Sequence, residues 1–457
     1  MGYQAPANHA LAKVINEADV SAVGLARRIQ AVAAQWGLQV YTAHTQVGRW
    51  LNGQQPREPT PSLIAEALSQ KLGRRVTLAD IGMDRAGSYS PELGLDFAAD
   101  AGEAIRALTD LWTADVERRD FLRSTIVASA LTGPALSWLL ARSAGPSTTG
   151  GPRRVGMADV AAVNTTAAMF ADLDNRFGGG AARSAAVQYL SDQVTPMLHG
   201  SYTDAVGREL YTAVAAFTLS VAWMGYDSGD QWLARRYFIQ ALTLAHYAGN
   251  RELGASALSA MSHQANYLGD HTEALQLARA ARHGSAGSPS QASSAQFAAM
   301  EARAAASMGQ RADTMRALGE AQSAFDRRDA ESDPDWMVYF DESELADEIA
   351  HCYRDLGDYD RALFAAGQCL TLAGPEYARS RVFSRIVQAE SFLGAGEPEQ
   401  AARIGIEVIP LVQDLASVRV AGYLATLRTR AAPYNALPVV AGFTDRARIA
   451  LDGRKLR

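Results

Sequence analysis

Cysteine is nearly absent, with Cys352 and Cys369 alone among 457 residues. Two thiols cannot build a disulfide framework, and each lies in an apolar helical stretch. Both are therefore expected to be reduced core residues of a cytoplasmic protein. Runs of β-branched residues are scarce, which argues against sheet. Long apolar runs are missing as well. The best candidate, RRDFLRSTIVASALTGPALSWLL from Arg118, is interrupted by Gly133 and Pro134 and is too short to cross a bilayer. Its paired arginines imitate an export signal, but such a signal is read at an N-terminus and this one lies behind a folded segment. The opening MGYQAPANHALAKVINEADV has no apolar core of signal length. Neither export nor a membrane partner is expected.

Catalytic signatures are absent too. None of HExxH, GxSxG, CxxC or GxxxxGK[ST] occurs, and the eight histidines are scattered. No ligand set has metal-binding spacing. The chain is read as no enzyme, with no cofactor and no metal. A strongly basic character is also missing: the formal charge is −6, with nine Lys/Arg against six Asp/Glu in residues 1–85 and hence −9 in the remainder. The local excess of +3 at the N-terminus is compatible with a segment that faces nucleic acid.

What the sequence does hold is alanine and apolar residues spaced three or four apart, so an all-α protein is expected. Five short helices are read over residues 8–82. Leu11, Val14 and Ile15 mark the first. Ser21 caps the second, which carries Leu25, Ile29 and Val32 and ends at Gly37. The third is HTQVGRWL from His44, closed by Gly53 and Pro56. Ser62 opens the fourth, where Leu63, Ile64, Ala67, Leu68 and Leu72 share a face before Gly73. Thr77, Leu78 and Ile81 make a last turn. A Gly/Ser/Pro-containing linker beginning at DRAGSYSPELG occupies 84–99, and connecting helices with a flexible loop at 143–152 occupy 100–160.

Beyond residue 160 the signal is repetition. Gly229, Gly269, Gly309, Gly357 and Gly396 stand 40, 40, 48 and 39 residues apart. Seven residues before them lie Ala222, Ser262, Ala302, Ala350 and Ala389. Five after lie Ala234, Ala274, Thr314, Ala362 and Ala401, and twelve after lie Ala241, Ala281, Ala321, Cys369 and Val408. Small residues at three fixed offsets fit two antiparallel helices that cross closely, with the glycine in the turn between them. FGGGAARSAAVQYL, from Phe177, reads as an earlier, decayed repeat. It is a turn rather than a phosphate cradle, because no strand precedes it and no Lys-Ser/Thr follows. The repeats span 161–430, and 431–457 are expected to form a capping helix.

Two resemblances attach to these residues. LADEIAHCYRDLGDYDRALFAAGQCL, 345–370, resembles a tetratricopeptide repeat, with Ala346, Ile349, Ala350, Tyr353, Gly357, Ala362 and Cys369 at its signature positions. VGRWLNGQQP followed by PSLIAEALSQKLG resembles the core of a phage-repressor helix-turn-helix. Together the two parts look like actinobacterial cytoplasmic regulators that join a helix-turn-helix DNA-binding domain, here 1–83, to a tetratricopeptide-type α-solenoid. One spacing departs from that pattern: twenty residues separate Leu25-Ala26 from Val47, where about ten are usual. Either the second helix is longer or GLQVYTAH forms an inserted loop.

If the third helix enters a major groove of double-stranded DNA, Thr45, Arg49 and Asn52 face base edges with Gln46 on the flank. Arg49 then suits guanine, and Asn52 or Gln46 suits adenine. Arg27, Arg28, Gln54 and Arg57 are candidates for phosphate. Trp50 is read as core. In the repeats the first helix of each pair lines the inner face. Position nine there holds Trp223, His263, Arg303 and His351, position twelve holds Tyr226, Asn266 and Arg354, and position five holds Asp347. Such a groove suits an extended peptide or an acidic small molecule, and otherwise a protein partner. The acidic run DESELADE, 341–348, is read as a solvated face. The function expected is a cytoplasmic, homodimeric transcriptional regulator whose effector changes the spacing of two reading heads. The alternative is an interaction scaffold whose helix-turn-helix no longer binds DNA.

Overall fold

Among the described residues the amphipathic spacing is realised as helices, except that the fifth expected segment shows only turn at Leu78 and Asp80–Gly82, with Thr77 outside the described residues. The computed structural model describes residues 7–35, 40–56, 59–72, 76, 78, 80–83, 93–124, 132–141, 145–146, 150–285, 287 and 289–454. No strand occurs among them, only an isolated bridge between Arg154 and Ser201. By contacts the chain divides into two units, residues 1–93 with 117–128, and residues 94–116 with 129–457.

In the first unit, α1 (His9–Glu17), α2 (Ala22–Gln35), α3 (His44–Leu51) and α4 (Thr60–Leu72) surround one apolar core. The expected face residues Leu11, Val14, Ile15, Leu25, Ile29, Val32, Val47, Trp50, Leu63, Ile64 and Leu68 all lie in it. Burying each large side chain contributes roughly 1.5–3 kcal/mol relative to leaving it in water. Ser21 caps α2, its Oγ accepting from Gly24 N at 3.1 Å. The fourth helix begins at Thr60, two residues before the serine expected to open it. Pro61 falls in its first turn, where a missing N–H removes no helical bond. The long spacing before Val47 has both expected origins: α2 runs at least to Gln35, and residues 40–43 are non-helical ahead of α3.

The second unit is a solenoid-like stack of helical hairpins. The part of α5 (Ala101–Ser124) up to Val116 and α6 (Thr132–Leu140) precede it. α5 is tied to it by the buried Asp115, which accepts from Tyr237 Oη at 2.7 Å and pairs with Arg183. α7 (Met157–Phe177) and α8 (Gly179–Tyr189) form the first hairpin; α8 continues through a π turn, Leu190–Val194, into the single turn α9 (Thr195–Leu198). Then come the pairs α10 (Asp204–Asp227) with α11 (Gln231–Ala248), α12 (Arg251–Tyr267) with α13 (His271–Gly284), and α14 (Gln291–Ser307) with α15 (Arg311–Asp326). They are followed by α16 (Glu342–Asp355) with α17 (Tyr359–Leu372), α18 (Ala378–Gly394) with α19 (Pro398–Asp414), and α20 (Val418–Ala431) with α21 (Pro438–Arg454).

The five repeat glycines all sit between the arms of their hairpins in the left-handed region, with φ from 70° to 88°. There a Cβ would be strained. The fifteen small or β-branched positions flanking them are each no more than 1% exposed, as close helix crossing requires. The one long spacing, between Gly309 and Gly357, is taken up by the α15–α16 connection, where a 3₁₀ turn at Asp335–Met337 buries Met337 and Phe340 against α14. Residues 431–457, expected as a separate cap, contribute α21, the second arm of the last hairpin; that hairpin turns through Ala432–Tyr434 without a glycine. Most of 84–94 and half of 143–152 lie outside the described residues.

The stack curls until its ends meet. α7 packs on α18, and α10 packs on α20. Ala416 N donates to Phe177 O at 2.7 Å, and Gly180 N donates to Ala416 O at 3.0 Å. The FGGG turn serves this approach. A Cβ at Gly178 or Gly180 would come within 2.9 Å of the Ala416 backbone, and one at Gly179 within 2.4 Å of Met224 O.

Candidate functional site

Helix α3 has two different sides. Val47 and Trp50 are buried in the core, whereas Thr45, Arg49 and Asn52 are exposed. The cause is the 3.6-residue period: 45, 48, 49 and 52 fall together, opposite 47 and 50. Gly48 lies in the exposed stripe, and a Cβ built there meets nothing within 4 Å. Gln54, Arg27 and Arg28 are exposed as well. Gln46, Arg49 and Gln54 come together in the wall of a shallow cavity of about 350 Å³, with Trp50, Gln55, Pro56 and Thr60. Arg27 and Arg28 are not in that wall, and Arg57 lies outside the described residues.

Three amides hold this helix in place. Gln46 is half-buried, and its Oε1 accepts from Ala43 N at 2.8 Å, so one half of a bidentate adenine contact is already engaged in starting α3. Gln30 Nε2 donates to Thr42 O at 3.1 Å, pinning the segment before it. Asn8 joins three elements: its Oδ1 caps α1 at Leu11 N (2.9 Å), its Nδ2 donates to Ile81 O (2.8 Å), and its N–H donates to Leu51 O at the end of α3 (2.8 Å). Sequence reading missed Asn8, although an Asn before an apolar-periodic helix is an N-cap signal.

In the second unit the residues predicted for the inner face do gather there, but mostly in pairs with one another. Trp223, Tyr226 and His263 form a cluster with ring centroids 5.2–5.6 Å apart, and Tyr226 Oη lies 3.0 Å from His263 Nδ1. Asn266 is bonded to Ser307 and to His271. Arg303 pairs with the buried Glu348. Arg354 Nη1 donates to Glu390 at 2.8 Å, and its Nη2 to Asp355 at 2.6 Å. Asp347 accepts from Ser384 Oγ and stands 3.5 Å from His351 Nε2. An acidic small molecule would therefore compete with carboxylates that already hold Arg303 and Arg354. A larger cavity of about 910 Å³ opens elsewhere, beside Leu136, Leu140, Arg208, Arg251 and His283, and none of the predicted groove residues lines it.

Burial governs the electrostatics. It pushes Asp347 up to about 6, against the hydrogen bond from Ser384. It pushes His263 and His351 well below the usual imidazole range, and the neighbouring arginines push the same way. Asp347 and His351, though within ion-pair distance, are thus each biased towards the neutral form. Burial alone would lower Arg303, but Glu348 beside it leaves it well above its ordinary value.

The acidic run 341–348 is not the solvated face expected. Asp347 and Glu348 are buried, and Asp341 caps α16 by accepting from Glu344 N at 3.0 Å. The reason is that α16 is a first-arm helix, and its inward side meets Arg303 of α14 and Ser384 of α18. The largest omission is α20. Arg419 lies over the rings of Tyr226 (4.3 Å) and Phe383 (4.8 Å), and its Nη1 is 3.8 Å from Asp227. Tyr423 stacks on Tyr267 with centroids 6.2 Å apart and packs edge-on against His351 and Phe383. Glu390 could have been found by carrying position nine one repeat further. Arg419 and Tyr423 lie beyond the last repeat glycine, so register gave no signal for them.

Cys352 and Cys369 are buried and unpaired, and burial pushes both thiols up. Among the described residues, no three His, Cys, Asp or Glu side chains are grouped to hold a metal ion, and no helix is long and apolar enough to cross a membrane. Residues 11–84, which carry nearly all of the α1–α4 core, match the family described as the SP15 N-terminal domain. No curated protein matches the chain.

Proposed function

We propose that the chain is a cytoplasmic, homodimeric transcriptional regulator. In this reading α2 and α3 act as a helix-turn-helix, and α3 enters the major groove of double-stranded DNA. The hairpin stack acts as a tetratricopeptide-like sensor for a peptide or a protein partner. The observation that carries the reading is the division of α3: its apolar residues are locked in the core while Thr45, Arg49 and Asn52 stand exposed around an open Gly48. A rigid helix with an outward Arg, Thr and Asn is what base-edge recognition needs. Exposed Arg27 and Arg28 supply phosphate contacts.

The test is binding to genomic DNA fragments across a salt series, with the protein compared to Arg49→Ala. A bidentate arginine–guanine contact predicts a loss of about 1–3 kcal/mol at the preferred site with little change in the salt slope. Equal affinity of the two proteins for their best site would remove Arg49 as a base reader. Absence of salt-sensitive binding altogether would favour the second reading, a protein-interaction scaffold. That reading has one observation of its own, the engagement of Gln46 in the start of α3.

A further inference from the structure

The polar residues of the inner face raise a question that the repeat pattern alone does not: what they are arranged around. Helix α20 answers it. It packs on α18 as the next first-arm helix in the stack, and it also meets α10, α12 and α16. Its two sides differ in character. Val420, Leu424 and Leu427 are buried in an apolar core shared with α18, α19 and α21. Its other side carries Arg419, Tyr423 and Arg430, which at spacings of four and seven share a helical face.

The wall opposite that face suits it chemically. Asp227 and the rings of Tyr226 and Tyr267 receive Arg419, and Tyr267 receives Tyr423. Arg430, by contrast, pairs at 3.3 Å with Glu390 of α18, within its own block of helices. Elsewhere along the seam where the ends of the stack meet there are further polar links. Arg379 forms a bidentate pair with Asp174 at 2.8 and 2.9 Å, and Ser417 Oγ donates to Asp227 at 2.8 Å. Within the hairpins buried apolar residues make most of the contact, with single polar links such as Ser262 Oγ to Ala274 O and Arg316 to Glu301. Polar contacts can be exchanged for water or for a matching ligand at modest net cost, whereas an apolar core cannot.

We infer that the wall of α10 and α12, bearing Asp227, Tyr226 and Tyr267, is a binding site for an arginine- and tyrosine-bearing helix. In the closed chain α20 fills it, and a peptide of the same chemistry competes for it when the seam parts. This rests on the sensing role proposed above and names its ligand class: a basic, aromatic helix rather than an acidic small molecule. The α18–α21 block carries α20 away from the wall, and the incoming helix replaces its arginine and its tyrosine.

A fluorescein-labelled synthetic peptide of residues 415–434 (LASVRVAGYLATLRTRAAPY) tests this by anisotropy against the full chain. The doubly substituted chain Arg419→Ala/Tyr423→Ala should take up the peptide about tenfold or more tightly than the unsubstituted chain does. A peptide carrying the same two changes should lose that gain. A substituted chain that melts cooperatively yet takes up no peptide, or that binds both peptides alike, overturns the inference. If the substituted chain does not fold, hydrogen exchange on the unsubstituted chain decides. Excess peptide should speed exchange in α20 while α12 stays protected, and unchanged exchange in α20 overturns the inference. No DNA is present in either measurement. Peptide uptake without DNA binding therefore sinks the regulator reading alone, and DNA binding without peptide uptake sinks this one alone.

Discussion

The outward side of α3 and the inner face of the hairpin stack carry similar residues in opposite circumstances. Arg49 is exposed beside an open glycine. Arg303 and Arg419 are buried among Glu348, Asp227 and aromatic rings. An arginine is available to an external anion only if its own fold has not already neutralised it. Asp115, Asp174, Asp227, Glu301, Glu348 and Glu390 are likewise buried against the chain's own cations, so the net charge of −9 over residues 86–457 does not by itself say what they bind. Residue type set the chemistry of both surfaces, and tertiary contacts set which of them is open.

Asp227→Ala is the strongest way to break this contrast. Asp227 accepts from Gly179 N at 2.9 Å and Ser417 Oγ at 2.8 Å, and it stands within 3.8 Å of Arg379 and Arg419. Its loss strands the buried Arg419 and removes the second carboxylate beside Arg379, which keeps Asp174, so a chemical-denaturation curve should show the second unit destabilised by about 3–5 kcal/mol with the first unit unchanged. A loss under 1 kcal/mol would mean that the seam is already solvated.

Asp347→Asn probes the same interior by pH. A carboxyl with its folded pKa raised from the ordinary 3.8 to about 6 favours the protonated form in the native state. Its penalty is absent below the unfolded value, grows as pH rises through that interval, and is complete above it. The asparagine form should therefore gain on the parent by up to about 3 kcal/mol between pH 4 and pH 7, read from denaturation midpoints at each pH. A flat difference across that range would place Asp347 in contact with water.

The remaining two changes sharpen the picture on the α3 side. Asn8→Ala removes the cap of α1 and the donor to Ile81 O, which should lower the stability of the first unit by about 1–2 kcal/mol and leave the second untouched. Gly48→Ala should do the reverse on a smaller scale. Nothing in the chain crowds that position, so alanine should raise the melting point of the first unit by an amount equivalent to about 0.5–1 kcal/mol. If a duplex backbone passes close to Gly48, DNA affinity should fall at the same time. A more stable protein with unaltered DNA affinity would leave the glycine without a binding role.

The two regions also differ in how far sequence reading reached. The α1–α4 core was legible residue by residue, from Leu11 to Leu68, because one amphipathic period labels each buried face. The hairpin turns were legible from five glycines and their small neighbours, because close crossing tolerates few side chains. Asn8 left a local N-cap signal through Leu11 that went unread, whereas its links to Leu51 and Ile81 lie too far off in sequence to leave one. The acidic run at 341–348 was misread because helical spacing alone does not distinguish a side facing water from a side facing another charged helix. Arg419 and Tyr423 escaped because their helix adds no glycine to the series.

What the order of residues determined by itself was local: which segments are helical, which side of each is apolar, and where paired helices must turn. Those properties follow from periodicity and steric size, which act over a few residues. Tertiary structure alone decided that the curled stack brings Ala416 onto the FGGG turn and α20 onto α10. That outcome is the sum of many small rotations between successive hairpins. No single residue encodes such a sum, and the buried charges acquire their partners only once it is complete.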